Sequence, residues 1–212
     1  MQQLVAMRPA RAAAPSRPPR PPGRGERFQA AVLAATLEEL ADRGYAALSI
    51  ESVARRAGVH KTSVYRHWTD REALVLDALT TNVAGGLVIP DTGSFETDLR
   101  EFARRLVAWL TSPPGNAVVQ ATVADASRVS EIADLQRRFY ADRLQRDEVM
   151  IRRAIDRDEI PADTDPAEVI KVLIGPIYLR LLITAEPING TTADRATELA
   201  LAAVRAGLLR SR

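Results

Sequence analysis

The chain has 212 residues, no cysteine, a hydrophobic share of 46% and a net charge of only +2. That length allows a sizeable core in one large or two small domains, while the composition excludes disulfides, thiolate nucleophiles and Cys-ligated zinc. The charge is uneven: Arg8, Arg11, Arg17, Arg20 and Arg24 give residues 1–25 a charge of +5 with no acid, leaving −3 for the rest, so local charge points to an anionic partner.

Residues 1–25 read as a disordered Arg/Pro-rich arm. Pro15, Pro18, Pro19, Pro21 and Pro22 break any helix and favour extended, solvated chain. The arm has no apolar run of signal-peptide length. From Glu26 the pattern is helical almost throughout. A first helix is expected over 26–43, with Phe28, Val32 and Ala35 in one apolar row and Leu33, Leu37 and Leu40 in the next. Gly44 stands where a C′ glycine ends a helix. Ser49 is placed to cap a second helix over 50–57, closed by Gly58. A short third helix is expected over 60–67. "TDRE" at 69–72 matches a capping box and starts a fourth, running to about residue 83. "GGLVIPDTG" then breaks the chain. Further helices are expected over 95–110, 116–128, 131–158, 166–185 and 193–209, with Asp165, Pro166 and Glu168 at N-cap, N1 and N3 of the fourth of these. "VIKVLIGPIYLRLLI" is interrupted by Lys171 and Arg180 and falls short of the roughly 20 residues of a membrane span, so a buried helix is expected there. No strand candidate competes. The expected fold is all-α: a three-helix helix-turn-helix domain over 26–84, then a helical domain over 85–212.

The third helix carries the chemistry. At about 100° per residue, Val64 marks its buried side and Trp68 lies close to the same direction. Thr62, Ser63 and Arg66 point away, with Lys61 and Tyr65 on one flank and His67 on the other. Arg55, Arg56, Lys61 and Arg66 fall within 52–68, which holds no Asp or Glu. Such donors suit phosphate oxygens and the acceptor-rich base edges of a major groove. Two short helices around a tight glycine turn form a helix-turn-helix, whose second helix enters that groove. Ala54 and Gly58 are small where the two helices are expected to cross closely. A solvated helix in an ordinary bundle is the bland alternative; the acid-free charge, the tight turn and the clustered hydroxyls weigh against it. His60 and His67 have no third His and no Cys to complete a metal site, and Asp70 and Glu72 are explained by capping. No metal or cofactor is expected. Nor is an enzyme: no glycine-rich phosphate loop and no G-x-S-x-G is present.

These residues resemble a known pattern. "ATLEELADRGY", "LSIESVARRAGV", "HKTSVYRHW" and "TDREAL", within residues 27–80, are similar to the N-terminal DNA-binding domain of the TetR family of transcriptional regulators. The resemblance implies that Ser49 caps the second helix and touches a phosphate, that Lys61, Thr62 and Ser63 face base edges or adjacent phosphates, and that Tyr65 reaches a phosphate through its hydroxyl. It implies a backbone or base-edge contact for His67 and a phosphate contact for Arg71, where the family often has Lys. Arg66 completes the expected DNA-binding set. His60 in place of a small N-cap and Thr62 in place of Gly depart from the pattern, so the bases read do not follow by analogy.

Beyond residue 95 the polar clustering ends. Ile132, Leu135 and Phe139 form one apolar row; Tyr140, Leu144, Ile151 and Ile155 form another. The segment 169–183 is apolar on nearly every side and needs cover on more than one face, with a kink expected at Gly175–Pro176. Ala200, Ala203 and Gly207 permit close approach of a second helix. A homodimer built on these last two helices suits both facts and suits a palindromic operator of double-stranded DNA. The resemblance also implies a small-molecule effector in the C-terminal domain, coupled to DNA release. Phe102, Trp109, Phe139, Tyr140 and Tyr178 are its candidate lining, each also readable as plain core. "DTGSFETDL" and "LIGPIYLRLLITAEP" look like a subfamily common among actinobacterial regulators. The expected function is a cytoplasmic, dimeric, ligand-responsive repressor; the alternative is a DNA-binding regulator or architectural protein with no effector.

Overall fold

The computed structural model describes residues 23–113, 115, 116, 119 and 130–211. Residues 1–22 of the arm, nearly all of the helix expected over 116–128 and the Ile132 side chain lie outside them. The described elements are α1 (Arg24–Ala47), α2 (Ile50–Arg56), α3 (Lys61–Tyr65), α4 (Arg71–Gly86), α5 (Phe95–Leu110), α6 (Ser130–Asp156), α7 (Pro166–Tyr178), a π-helical turn (Leu179–Thr184) and α8 (Gly190–Arg205). The described residues contain no strand, and no described helix is long and apolar enough to cross a membrane.

Caps set most of these boundaries. α1 begins two residues earlier than the sequence pattern suggests, because the Glu26 carboxylate accepts the Gly23 N–H at 2.7 Å and closes a first turn that includes Arg24. Gly44 (φ 71°) breaks its regular path, and one further turn carries Tyr45 into the core. Ser49 and Ser52 cap α2 reciprocally: Ser49 Oγ accepts the Ser52 N–H at 3.1 Å, and Ser52 Oγ accepts the Ser49 N–H at 3.2 Å. α4 is capped by Asp70, which accepts the Ala73 N–H at 2.7 Å; Thr69, the residue expected there, instead donates its hydroxyl to Asp70. That N–H bond draws the Asp70 carboxyl below its usual range. Asp165 caps α7 as its sequence suggests, accepting from Ala167 and Glu168. Asn189 starts α8 three residues earlier than expected by accepting the Thr192 N–H at 3.2 Å.

The turn between α2 and α3 is a Schellman motif: Val59 N–H reaches Ala54 O at 2.9 Å and Gly58 N–H reaches Arg55 O at 3.3 Å. Gly58 has φ 66° and nothing within 4 Å of a Cβ placed on it. Its smallness therefore serves the left-handed turn and not a close helix crossing. The crossing is left to Ala54, which is 3% exposed. α3 is also shorter than its pattern, since His67 and Trp68 N–H groups both turn back to Val64 O.

Val32, Tyr45, Leu48, Val53, Val64, Trp68 and Leu74 join in the core of the first four helices. α1 packs on α4 and α2 on α3. In the second half α5 and α7 both pack on α8, and α6 lies on α7 and α4. Pro176 has no N–H, so Val172 O loses its helical donor and the ladder cannot continue unchanged. The chain widens into the π-helical turn and stops at Ala185 in the left-handed region (φ 51°). Leu179 and Ile183 on this turn are 54% and 75% exposed. Ala200 is fully buried against its own chain, and Gly207 faces the Arg210 guanidinium. Of the small residues expected to admit a second subunit, Ala200 therefore faces inward while Ala203 and Gly207 are half-buried; Leu199 and Ala202 of α8 are exposed.

Candidate nucleic-acid interface

α3 is anchored by Val64, fully buried, and by Trp68 just beyond it, 5% exposed. The Trp68 indole N–H donates to Asp77 of α4 at 2.8 Å. The Phe28 ring of α1 packs on both His67 and Trp68, with centroids 4.9 and 6.4 Å away. The rest of the helix faces outward. Lys61, Thr62, Tyr65, Arg66 and His67 are exposed and Ser63 is half-buried. The side chains of Arg55, Thr62 and Arg66 carry no protein partner among the described residues. Ser49 sits half-buried at the start of α2, already committed to its cap.

Three neighbours change how these side chains are held. Glu51, in the first turn of α2, accepts the Tyr65 hydroxyl at 3.4 Å and lies 3.9 Å from Lys61 Nζ through the same oxygen. It stands one residue outside the acid-free stretch, and a residue-by-residue charge count misses it. His67 Nδ1 donates to Ser63 O at 2.9 Å, a bond to a carbonyl that fixes which ring nitrogen carries the proton. The Arg71 guanidinium lies 4.3 Å over the Tyr45 ring and donates to Leu48 O at 3.4 Å, so it is turned into the protein.

Arg56 is engaged more fully. Its guanidinium meets Glu39 and Asp42 of α1, each at 2.7 Å, and Glu38 at 3.5 Å. Burial pushes the Glu39 carboxyl upward, but hydrogen bonds from Ser52 and Arg56 and the charges of Arg43 and Arg56 hold it below its usual value. Arg56 therefore ties α2 to α1 instead of adding to the outward charge.

A second site lies at the far end of α4. Phe102 and Trp109 from α5, Phe139 and Tyr140 from α6 and Tyr178 from α7 line one cavity, closed on another side by Val83 of α4 and Leu87 just beyond its end. It encloses about 470 Å³ of unfilled space, part of it open to solvent. The enclosed part is narrow, with room for about one or two waters. The five aromatic residues singled out as candidate lining thus come together. What the sequence reading missed is the polar part of the wall. Arg143 and Asp147, one turn apart on α6, form a fork with Nε–Oδ2 at 3.0 Å and Nη2–Oδ1 at 2.6 Å. Their side chains are 12% and 4% exposed. Burial pushes the Asp147 carboxyl up to about 7 against the pull of Arg143, and it raises the Tyr178 hydroxyl well above its ordinary value. The signal was present: Arg143 and Asp147 continue the Phe139 row at steps of four.

A helix-turn-helix with an outward cationic recognition helix, joined by α4 to an all-helical domain with an internal cavity, defines a DNA-binding regulatory protein. Residues 32–78 match the family of bacterial regulatory proteins called the tetR family, and residues 89–200 match the tetracyclin repressor-like C-terminal domain. The chain belongs to the TetR family of transcriptional regulators. It is 34% identical over 178 residues to the HTH-type transcriptional regulator AqdR of Rhodococcus erythropolis, covering 84% of this chain and 86% of that one. It is 33% identical over 147 residues to the DNA-binding transcriptional repressor TetR of Mycobacteroides abscessus, covering 67% of this chain and 75% of that one. The solved structure of the TetR family transcription regulator SCO0332 superposes with a TM-score of 0.69 at 32% identity, covering 84% of this chain and 99% of that one.

Proposed function

We propose that this regulator is a homodimeric repressor that leaves a two-fold operator when a small molecule enters the α5–α6–α7 cavity. The observation that carries the reading is the span of α4. Its first half receives the Trp68 indole at Asp77, and its last turn and the residue that caps it supply Val83 and Leu87 to the cavity wall. A molecule larger than the present space must push that wall outward and so bear on the helix that holds the reading head. A ligand shifts the equilibrium only by its differential affinity for the two placements of α4.

Repression is the stated role of the Mycobacteroides abscessus relative. Dimerisation is supported by the exposed apolar side chains Leu179, Ile183 and Leu199, which are 54%, 75% and 52% exposed on the last two elements. Lys61, Thr62, Ser63, Tyr65, Arg66 and His67 make the DNA contacts in this reading, with Ser49 near a phosphate. Arg71 joins them only on leaving Tyr45. The site of action is cellular DNA in the cytoplasm.

Selection of bound sites from random DNA supplies the operator, and mobility shifts on it test the rest. A palindromic site bound by two chains, released by at least one compound that also raises the melting temperature, is the expected result. A single-headed complex on a non-palindromic site overturns the dimeric reading.

A further inference from the structure

Among the described residues, the Arg143–Asp147 pair is the part of the cavity wall that packing does not account for. A buried ion pair contributes little net stability, and apolar side chains of like volume do as well or better. Yet here both charges sit in a wall that is otherwise aromatic and aliphatic, with the guanidinium 5.8 Å from the Phe102 ring centroid. The hydrogen bond to Asp147 uses only the Nε–H of the five guanidinium hydrogens; Nη2 and Asp147 Oδ1, 2.6 Å apart, are buried and make no hydrogen bond. The remaining donors suit an acceptor that enters from the cavity.

We propose that the cavity takes an aromatic organic anion, its charged oxygen on the Arg143 guanidinium and its ring among Phe102, Phe139 and Tyr178, with Asp147 taking up one proton as the anion enters. This rests on the reading of the cavity as the effector site. The charge balance drives it. Arg143 and Asp147 together are neutral, so an anion brings one uncompensated negative charge into a poorly solvated place. A proton from water on Asp147 restores neutrality and frees Arg143 for the anion.

Little opposes that proton near neutrality, because burial already holds the carboxyl close to 7. Among the described residues, the groups facing the pair are few. α6 supplies Tyr140 and, beyond Arg143, Arg146. α7 supplies the Tyr178 hydroxyl, which stays neutral because burial raises it. α4 and α5 present apolar side chains and the Trp109 indole.

The test is isothermal titration calorimetry of the full chain with 2-naphthoate and with neutral 2-naphthamide, from about pH 6 to 9, where a carboxylic acid is ionised throughout. For naphthoate, Kd should be constant below about pH 7 and rise about tenfold per pH unit above it, the signature of one proton taken up. For the amide it should be flat. Asp147→Asn should flatten the naphthoate profile. The double variant Arg143→Met with Asp147→Leu, which keeps the wall packed, should lose at least about tenfold for naphthoate and bind the amide as the parent does. A pH-independent naphthoate affinity unaffected by the double variant overturns the inference. Binding of the amide but not of naphthoate also overturns it and leaves the effector cavity standing. Binding of neither overturns both.

Discussion

Gly86, at the end of α4, lies against the Trp109 indole of α5 so closely that a Cβ placed on it would be 2.4 Å from Trp109 Cδ1. The neighbouring Gly85 has nothing within 4 Å of the same position. The two glycines therefore separate helix propensity from packing. Gly85→Ala should stabilise the chain by about 0.5–1 kcal/mol, since it removes backbone freedom from the unfolded state. Gly86→Ala should destabilise it by about 1–3 kcal/mol, because the rigid indole has to shift. It should also change the Trp109 fluorescence, while Gly85→Ala leaves it as it was. Thermal unfolding and emission spectra of the two variants check both.

Arg56 holds Glu39, whose side chain is 3% exposed. Arg56→Ala should cost about 1–3 kcal/mol, the price of a buried carboxylate left short of donors. The sign of its pH dependence follows from Glu39. The folded-state carboxyl is held below its usual range, so its stabilising contribution is present above the ordinary carboxylate range and fades as pH falls through the lowered value. The gap in melting temperature between Arg56→Ala and the parent should therefore narrow in acid. A gap that widens below pH about 4 contradicts the assignment.

Lys61 and Tyr65 share Glu51 as a partner before any DNA arrives. Lys61→Ala should weaken operator binding and reduce the slope of log affinity against log salt by about 0.9, one phosphate contact. Tyr65→Phe should weaken binding with the slope unchanged, because it loses a hydroxyl and no charge. Glu51→Gln should strengthen binding at low salt, since it removes a negative charge from beside the phosphates. All three are read by fluorescence anisotropy at several salt concentrations, with thermal unfolding as the control for folding.

Local signals were the legible part of this protein. Ser49, Asp165 and Pro166 announce helix starts because a cap is a bond between residues two or three apart. Val64 and Trp68 announce the buried side of the recognition helix by spacing alone. The fate of Arg56 was not legible, since its partners lie 14 to 18 residues away on another helix. Glu51 escaped notice for a related reason: it meets Lys61 and Tyr65 only after the glycine turn folds α3 back. Arg143 and Asp147 look like any exposed i,i+4 pair, as Arg146 and Asp142 in fact are; only their place in the Phe139 row marks them as buried. The π-helical turn was foreseen as a kink at Pro176 but not as a change of helix type, which depends on how the freed carbonyl is met.

Deleting residues 1–22 removes Arg8, Arg11, Arg17 and Arg20 while keeping Gly23, the cap of α1. Affinity for the operator should fall mainly at low salt, with a shallower salt slope. A slope equal to that of the full chain takes the arm out of DNA binding. The melting temperature should not change.

The contact of Phe28 with His67 and Trp68 has a geometric corollary for that arm. Gly23, where the arm meets α1, is five residues before Phe28, about 7–8 Å along the helix axis. The exit point of the arm is thus pinned beside the C-terminal end of the recognition helix and moves with it as one piece. α1 acts as a ruler between them. The start of α1 therefore keeps a fixed distance from the outward side chains of α3, set by the packing of one phenyl ring.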